Sequence, residues 1–395
     1  MIVTPVTALF VHGAEELEQT PRGLRPHRLP GWVGEQFPDP QLVMVEAQPS
    51  GVRLVLATSA LEVALVLHTS RVGYRGMIRP RGSIDLLVDG EWVGSEMLAG
   101  GDLVEMDLQS GASEVFRGES HTATFGGLPA GDKRVELWLP HNETVELIAI
   151  HSDQPVRPAP PTGALWLHHG SSISHGSNAA TPAQTWPALS ARLGGVDLRN
   201  LGLGGSAQVD PFIARVIRDS PADLISLKLG INVVNRDSMR LRAFVPAVHG
   251  FLDTIRDGHP TTPLVLVSPI FCGIHEDTPG PGAFDPASFG AGQMRFIATG
   301  DREDRASGRL TLRVIREALA ELVAGRADDT NLHYLDGTEL YSEADSVEHP
   351  LPDALHPDTA SHRLIGERFA GYAFAPGGPF AGIGRPWATG SPKSA

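Results

Sequence analysis

The second half of the chain alternates between two kinds of segment. From Ala164 onward, short apolar runs typical of buried strands alternate with longer stretches of helical periodicity. Strands are predicted at 164–168, 197–201, 223–229, 263–269 and 332–335, and helices near 181–193, 207–218, 240–256, 309–325 and 360–373. This alternation predicts a parallel sheet covered by helices on both faces, a fold in which ligand sites lie beyond the carboxyl ends of the strands.

The first 150 residues show a different pattern, in which short β-rich runs are separated by turn residues. Asp89-Gly90, for example, is typical of a hairpin turn. This pattern predicts an all-β sandwich or jelly roll. The Pro-rich stretch SDQPVRPAPPTG then indicates a stiff, extended connector.

These patterns divide the chain into four parts. We expect a β-sandwich domain over 1–151, a linker over 152–163, an α/β domain over 164–375 and a poorly ordered tail over 376–395. The sandwich is expected to stabilise the second domain or position its substrate. The Pro-rich connector favours separately folded units, in which case a chain starting near Pro161 would fold alone; if the interface is instead large and apolar, that chain would aggregate. Its tryptophans, Trp32, Trp92 and Trp138, are interpreted as core residues rather than sugar-stacking groups.

Charge and composition limit the classes of partner. The formal net charge of −14 argues against a nucleic-acid partner, which would require a basic face. No apolar run approaches the length of a membrane span. Cys272 is the only cysteine, so no intrachain disulfide can form. The first residues lack a basic region and Pro5 interrupts their apolar stretch, so we expect no secretory signal and a cytoplasmic location.

A cluster of serines follows the first predicted strand of the second domain. Ser171, Ser172 and Ser174 lie in a turn bounded by Gly170 and Gly176. A serine there has its backbone N–H near a helix N-terminus, where a developing oxyanion is stabilised. The alternative is that these serines only cap the helix. The segment has neither the lysine of a phosphate-binding loop nor the last glycine of a nucleophile elbow, because Ser174 stands there.

The next two predicted strands end in residues that can donate hydrogen bonds to an oxyanion. Gly202, Gly204 and Gly205 form a loop whose backbone N–H groups can point at a bound atom. Asn232 follows the next strand, and its side-chain amide can donate to the same kind of oxygen. Both segments also fit ordinary local structure, a glycine-rich turn and an Asx-turn that closes a strand.

Asp353 and His356 lie three residues apart in one loop before the last predicted helix. A carboxylate on one ring nitrogen fixes the histidine tautomer and supports the imidazolium formed in catalysis. The pair also suits helix capping or metal binding, although no further His or Cys cluster has ligand spacing nearby. We interpret His168, His169 and His175, which flank the serines, as local packing or polar contacts of the turn rather than a metal cluster or a competing base.

Taken in chain order, these segments resemble the SGNH (GDSL-type) hydrolases, a family named for Ser, Gly, Asn and His in four sequence blocks. Gly170-Ser171-Ser172-Ile173 is similar to the family's Gly-Asp-Ser-(Leu/Ile), with Ser171 in place of Asp. In the second block the oxyanion glycine lies five residues after the asparagine, which selects Gly205. Gly230-Ile231-Asn232 resembles Gly-x-Asn-Asp with Val233 in place of the last Asp, and Asp353-x-x-His356 matches the fifth block.

The resemblance covers residues 164–375 and implies a three-layer, flavodoxin-like parallel-sheet domain. It implies a catalytic triad of Ser172, Asp353 and His356. The implied oxyanion hole consists of the backbone N–H groups of Ser172 and Gly205 and the amide of Asn232. Neither a metal nor an organic cofactor is needed for this chemistry.

The function implied is that of a serine hydrolase that cleaves acyl esters of small or carbohydrate-like alcohols through an acyl-enzyme. One alternative is an acyltransferase that moves an acyl group from a thioester to a small-molecule hydroxyl, since exclusion of water decides between the two reactions. Another is a carbohydrate-binding protein with a degenerate catalytic domain, because Ser171 and Val233 depart from the family pattern. Expected partners are the ester substrate and a candidate thioester donor, with no nucleic acid and no membrane.

One long Gly- and Pro-rich loop follows the strand predicted at 263–269. This loop, FCGIHEDTPGPGAF, would overhang the active-site edge and shape the acyl or alcohol pocket. The alternative is a surface excursion without a role in the site.

Overall fold

The computed structural model describes residues 1–77, 79–107, 110–288 and 294–383. The strands of its N-terminal half are β1 (Ile2–Pro5), β2 (Val11–His12), β3 (Glu16–Gln19), β4 (Leu24–His27), β5 (Arg53–Thr58), β6 (Glu62–Tyr74), β7 (Ser83–Val88), β8 (Glu91–Met97), β9 (Asp102–Met106), β10 (Ser113–Phe116), β11 (His121–Gly126), β12 (Lys133–Trp138), β13 (Thr144–Ser152) and β14 (Val156–Pro158). Two short helices, α1 (Gly31–Gln36) and α2 (Pro40–Glu46), lie between β4 and β5.

These strands form two sheets that face each other. The outer sheet has the order β10-β9-β6-β13-β4-β3, with β1 on β13 and β11 on β6. The inner sheet has the order β14-β5-β12-β7-β8, with β2 on β5. Buried Val, Leu and Ile side chains from both sheets form one core between them. The predicted all-β sandwich is therefore confirmed, and its β7–β8 turn is made by Asp89 and Gly90, both with positive φ.

The second half contains a parallel sheet. Its strands are β15 (Leu165–Gly170), β16 (Asp197–Gly202), β17 (Leu224–Lys228), β18 (Leu264–Val267) and β21 (Leu332–Leu335), and a separate hairpin consists of β19 (Gly282–Phe284) and β20 (Phe296–Ala298). The helices are α3 (Ser172–His175), α4 (Trp186–Gly194), α5 (Pro211–Asp219), α6 (Ile231–Arg236), α7 (Leu241–Gly258), α8 (Leu312–Ala324), α9 (Gly337–Leu340), α10 (Glu343–Glu348) and α11 (Thr359–Ala373). Short 3-10 turns lie at Ala8–Phe10, Pro182–Gln184, Pro286–Ser288 and Arg302–Ser307.

The strand order in this sheet is β16-β15-β17-β18-β21, and every neighbouring pair is parallel. Apolar side chains of α5, α7 and α8 pack on one face of the sheet, and those of α4 and α11 on the other. The α/β fold predicted from the alternating pattern is confirmed. No helix within the described ranges is long and apolar enough to cross a membrane.

The N-terminal helices belong to the core of the parallel-sheet domain. Leu29, Val33, Leu42 and Val45 are buried in the same apolar cluster as the side chains of α5 and α7. Sequence patterns did not predict α1 and α2, because helices of six and seven residues are too short to show a helical period. Their position shows that both halves of the chain contribute to the core of the parallel-sheet domain, while the sandwich keeps a second core of its own.

The inner sheet is also covered on both faces. Leu87 and Trp138 point away from the sandwich core and join a cluster around Trp166 of β15. Asp85 of β7 accepts hydrogen bonds from the Thr181 hydroxyl at 2.6 Å and from the backbone N–H of Ala183 at 2.8 Å. The inner sheet therefore serves as a packing surface for the catalytic half.

The Pro-rich segment predicted as a linker is extended, but part of it belongs to the inner sheet and does not connect two independent domains. Its residues Val156–Pro158 form β14 and pair with β5 in antiparallel register. A Pro-rich segment without the alternating apolar pattern of a strand can still form an edge strand, because the neighbouring strand has backbone groups left to pair. The expectation of two separately folded units conflicts with these contacts.

Two further expectations about burial were wrong in part. Trp138 is buried, but Trp32 and Trp92 have exposed fractions of 37% and 46%. The tail expected to be poorly ordered from residue 376 packs against the domain as far as residue 383, since Phe380 is fully buried near Phe374. Burial of one aromatic side chain stabilises this segment in an ordered conformation, although its composition is rich in Gly and Pro. Residues 384–395 lie outside the described part of the chain.

The shared core predicts the outcome of removing residues 1–160. The remaining fragment would expose the apolar surface that α1, α2 and the inner sheet cover, so we expect it to aggregate. Soluble yield and thermal melting of the fragment measure this. Co-expression with the separate 1–160 piece should restore solubility. A soluble fragment that melts cooperatively and cleaves p-nitrophenyl acetate would contradict the expectation.

Candidate active site

Ser172 is the first residue of α3, directly beyond the carboxyl end of β15. Ser171 precedes it as the N-cap, and its hydroxyl accepts a hydrogen bond from the backbone N–H of Ile173 at 3.4 Å. The turn is held tightly, because a Cβ on Gly202 at the end of β16 would lie 2.4 Å from the backbone nitrogen of His175. Ser172 keeps 9% of its surface exposed, so solvent and substrate can reach it.

Ser172, His356 and Asp353 form a continuous chain of contacts. The Ser172 Oγ lies 2.9 Å from Nε2 of His356. Nδ1 of the same ring lies 2.8 Å from Oδ2 of Asp353. Because an ionised carboxylate can only accept, Nδ1 carries the proton and Nε2 offers its lone pair to the serine hydroxyl. This is the arrangement required for a serine nucleophile with a histidine base.

Asp353 is held as an anion by several donors. Its Oδ1 accepts from the backbone N–H groups of Leu355 at 2.9 Å and His356 at 2.7 Å, and its Oδ2 also accepts from the Asn178 amide at 3.1 Å. Burial alone would raise the pKa of Asp353, but the hydrogen bonds from the His356 ring and from the backbone N–H groups of His356 and Leu355 outweigh it, so the pKa lies below its ordinary value. The carboxylate is therefore ionised at neutral pH.

Asn232 is oriented by a single contact of its side chain. The backbone N–H of Ala207 donates to the Asn232 Oδ1 at 3.2 Å. An N–H group can only bond to the oxygen of the amide, so this contact assigns the Asn232 oxygen and leaves its NH₂ group for another acceptor. The sequence prediction placed an oxyanion donor at this residue.

The backbone N–H groups of Ser172 and Gly205 are the other two candidate donors to an oxyanion. Within the described ranges, the backbone N–H groups of Ser172 and Gly205 have no hydrogen-bond acceptor. Gly205 has a φ of 72°, in the left-handed region that favours glycine. Unpaired donors beside a nucleophilic serine can stabilise an oxygen that becomes negatively charged during acyl transfer.

The three histidines that flank the serine are structural. All are fully buried, and burial lowers their pKa values, that of His169 to about 4 and those of His168 and His175 well below the ordinary value. Their polar partners are the Ser226 and Ser174 hydroxyls for His168, the Leu201 carbonyl for His169 and the His141 carbonyl for His175. The predicted role in local polar contacts is confirmed. In the described part of the chain, no group of three or more His, Cys, Asp or Glu could hold a metal ion.

The β19–β20 hairpin forms a wall of the site beside His356. The backbone N–H of Phe296 in β20 donates to the Asp353 carbonyl at 2.8 Å. The Phe296 ring lies 5.4 Å from the His356 ring at 78° and 4.9 Å from the Phe284 ring. Within the segment FCGIHEDTPGPGAF itself, the Cys272 Sγ lies 3.4 Å from the Ala354 carbonyl and Phe284 packs on Phe296, so this segment lies beside the loop that carries Asp353 and His356.

Sequence reasoning missed two residues of this site. Asn178 contacts Asp353, and Phe296 contacts both Asp353 and His356. Neither has a signal of its own, since an asparagine in a Gly/Ser-rich turn and a phenylalanine in a long loop are both common. Their roles follow only from the loops that bring them to the triad.

A serine, a histidine, a carboxylate and unpaired donors beyond the ends of parallel strands define a serine enzyme of acyl transfer. Residues 169–364 match the model of the GDSL-like lipase/acylhydrolase family, and residues 9–147 match that of the SsfX3 N-terminal domain. The catalytic half of the chain belongs to the GDSL-like lipase/acylhydrolase family, and the chain is an esterase or a related acyltransferase.

Solved structures resemble the chain over almost its whole length. The salicylyl-acyltransferase SsfX3 from a tetracycline biosynthetic pathway is 29% identical, with 93% of this chain and 94% of that chain covered and a TM-score of 0.74. A protein described as a GDSL-like lipase from Bacteroides ovatus is 18% identical, with coverages of 93% and 95% and a TM-score of 0.66. The acetyl xylan esterase Est2A from Butyrivibrio proteoclasticus is 13% identical, with coverages of 94% and 98% and a TM-score of 0.52.

The two more distant structures show the shared fold alone. No curated protein matches the chain.

The geometry predicts which serine is the nucleophile. We expect Ser172→Ala to abolish acyl-enzyme formation, because the Ser172 hydroxyl contacts His356 whereas the Ser171 hydroxyl contacts the backbone of Ile173. Ser171→Ala removes a helix cap and should leave most activity, with a stability loss of about 1 kcal/mol. A fluorophosphonate probe followed by peptide mapping tests both variants. Labelling of Ser171, or no labelling of the unchanged protein, would contradict the assignment.

Asn232→Ala should lower kcat by about a hundredfold to a thousandfold, the usual loss for one oxyanion donor. Steady-state kinetics on an activated ester measures the change, with thermal melting as a check on folding. Asn235→Ala, the same change on the same helix, should leave kcat nearly unchanged. If Asn232→Ala unfolds the protein, the side chain serves instead to hold the loop at Ala207 through its hydrogen bond to that backbone N–H.

Proposed function

We propose that the chain is a serine hydrolase that cleaves acyl esters of small or carbohydrate-like alcohols through an acyl-enzyme on Ser172. The observation that carries this proposal is the chain of contacts from the Ser172 Oγ to His356, at 2.9 Å, and from His356 to Asp353, at 2.8 Å. Both distances are within hydrogen-bond range without any rearrangement.

In the first half of the reaction, Nε2 of His356 takes the hydroxyl proton as the Ser172 Oγ attacks the acyl carbonyl carbon. The carbonyl oxygen becomes an oxyanion, for which Ser172 N–H, Gly205 N–H and the Asn232 amide are the donors. His356 then gives the proton to the oxygen of the leaving alcohol, and the acyl group remains on Ser172.

In the second half, water takes the place of the alcohol. His356 removes a proton from the water as its oxygen attacks the acyl carbon, and the same donors hold the second oxyanion. His356 returns the proton to the Ser172 Oγ as the carboxylic acid leaves. The ionised Asp353 supports the positive charge on His356 in both halves.

The aromatic pair beside His356 supports a ring-shaped leaving group. Phe284 and Phe296 are partly exposed, and the Phe296 ring lies 5.4 Å from the ring of His356, which protonates the leaving oxygen. The apolar face of a sugar ring or an aromatic ring packs well on such a surface. Nothing in this aromatic wall requires the substrate to be a long-chain lipid.

An acyltransferase is the second candidate. The observation that favours it is the 29% identity to the salicylyl-acyltransferase SsfX3 over 93% of this chain. In that reaction a thioester would acylate Ser172, and a small-molecule hydroxyl would replace water in the second half. Both reactions need the same residues, so the partition of the acyl group between water and hydroxyl distinguishes them. The assembled triad gives no support to a degenerate binding protein.

The test uses p-nitrophenyl acetate, butyrate and benzoate, with and without an excess of sugar or phenolic alcohols. Mass spectrometry follows the acylated serine and the products. We expect release of p-nitrophenol and a free acid, with an acyl adduct on the Ser172 peptide. Accumulation of an acylated alcohol at the expense of free acid would establish the transferase. If Ser172→Ala keeps its activity on all three esters, the proposal is wrong.

A further inference from the structure

Helix α2 of the N-terminal half brings Gln41 to the loop that follows β16. The Gln41 Nε2 donates a hydrogen bond to the carbonyl oxygen of Gly204 at 2.8 Å. The position of the helix is fixed by its Leu42 and Val45 side chains, which are buried in the core of the catalytic half. Asp39 caps its first turn through the backbone N–H of Leu42 at 2.8 Å.

The polar backbone groups of Gly204 and Gly205 can be accounted for one by one. The Gly204 N–H contacts Nδ1 of His175 at 3.4 Å. The Gly204 carbonyl accepts from Gln41, and the Gly205 carbonyl accepts from Nε of Arg236 at 2.9 Å. Of these four groups, only the Gly205 N–H has no partner among the described residues. Three of the four groups are thus fixed, and the fourth is the predicted oxyanion donor.

The bond to Gln41 controls the direction of that free donor. In a trans peptide the carbonyl of one residue and the N–H of the next are rigidly coplanar and point in opposite directions. A hydrogen bond that holds the Gly204 carbonyl toward α2 therefore turns the Gly205 N–H away from α2. Glycines on both sides of this peptide would otherwise allow it to rotate freely.

Gly204 lies close to the nucleophile. A Cβ on Gly204 would be 3.8 Å from the Ser172 Cβ and 3.6 Å from Cγ1 of Val45. Gly204 therefore lies close to both α2 and Ser172. A Gly205 N–H that is turned away from α2 would then be available to an oxyanion at Ser172.

We propose that Gln41 is a positioning residue for the oxyanion hole and that the N-terminal domain takes part in the reaction through it. This inference rests on the proposed acyl-enzyme function. An oxyanion donor acts in the transition state only if it is already aimed at the oxygen, because reorientation during the reaction costs free energy. Loss of the Gln41 bond should therefore lower kcat and leave KM unchanged.

Three variants separate this role from a structural one. Gln41→Met has a similar size and no donor, and we expect a roughly tenfold to hundredfold loss of kcat on p-nitrophenyl acetate, less than for the loss of a direct donor. Gln41→Lys restores a donor of similar reach and should recover most of the loss. Val43→Gln, an exposed position on the same helix, is the matched control and should leave kcat unchanged.

An alkylboronic acid gives a second readout, because it forms a tetrahedral adduct with an active serine and resembles the transition state. Its inhibition constant should rise in Gln41→Met by the same factor as kcat falls, while the melting temperature stays within the range of Val43→Gln. An unchanged kcat in Gln41→Met would overturn the inference. So would a loss that appears in KM, a loss that Gln41→Lys does not recover, or a loss that follows a lowered melting temperature.

The proposed function and this inference fail in different ways. If Ser172→Ala retains esterase activity, the acyl-enzyme proposal fails, and the role of Gln41 fails with it. If Ser172→Ala is inactive while Gln41→Met is as active as the unchanged protein, only the role of Gln41 is wrong.

Discussion

The buried guanidinium of Arg28 holds the two halves of the chain together. It donates to the carbonyls of Asn200 and Gly202 at 2.9 and 2.7 Å, and to the carbonyl of Val45 at the end of α2. Burial lowers the pKa of Arg28 to about 10, which leaves it charged at neutral pH. Removal of such a group would leave several buried carbonyls unpaired, at a cost of about 3–5 kcal/mol. The Gly204–Gly205 loop starts just beyond the carbonyls that Arg28 fixes, so the geometry of the active site depends on this ion.

The catalytic half and the sandwich are consequently one structural unit with two kinds of contact. The inner sheet supplies a broad apolar surface, through Leu87 and Trp138, that supports the helices behind the triad. The helices α1 and α2 supply a smaller surface that reaches the Gly204–Gly205 loop. The first kind of contact provides stability, and the second sets the direction of individual backbone groups.

Much of the fold and the triad could be predicted from local sequence. The parallel strands show as short apolar runs, and Asp353 and His356 lie in one turn whose spacing already joins carboxylate and imidazole. Gln41 could not be predicted, because its role comes from a residue 163 positions away and a helix too short to show a period. Phe380 shows the same limit, since one buried ring fixes a segment whose composition indicates disorder.

The sharing of one core between distant segments also sets an order for synthesis of the chain. Arg28 and Val45 leave the ribosome before β16 has been synthesised. The apolar face of α1 and α2 is therefore uncovered until more than a hundred further residues have been added to the chain. Contacts of such large sequence separation form late, because closing a long loop costs entropy before the contact repays it. The nascent sandwich therefore carries an open hydrophobic face until β16 and the helices α5 and α7 have been synthesised.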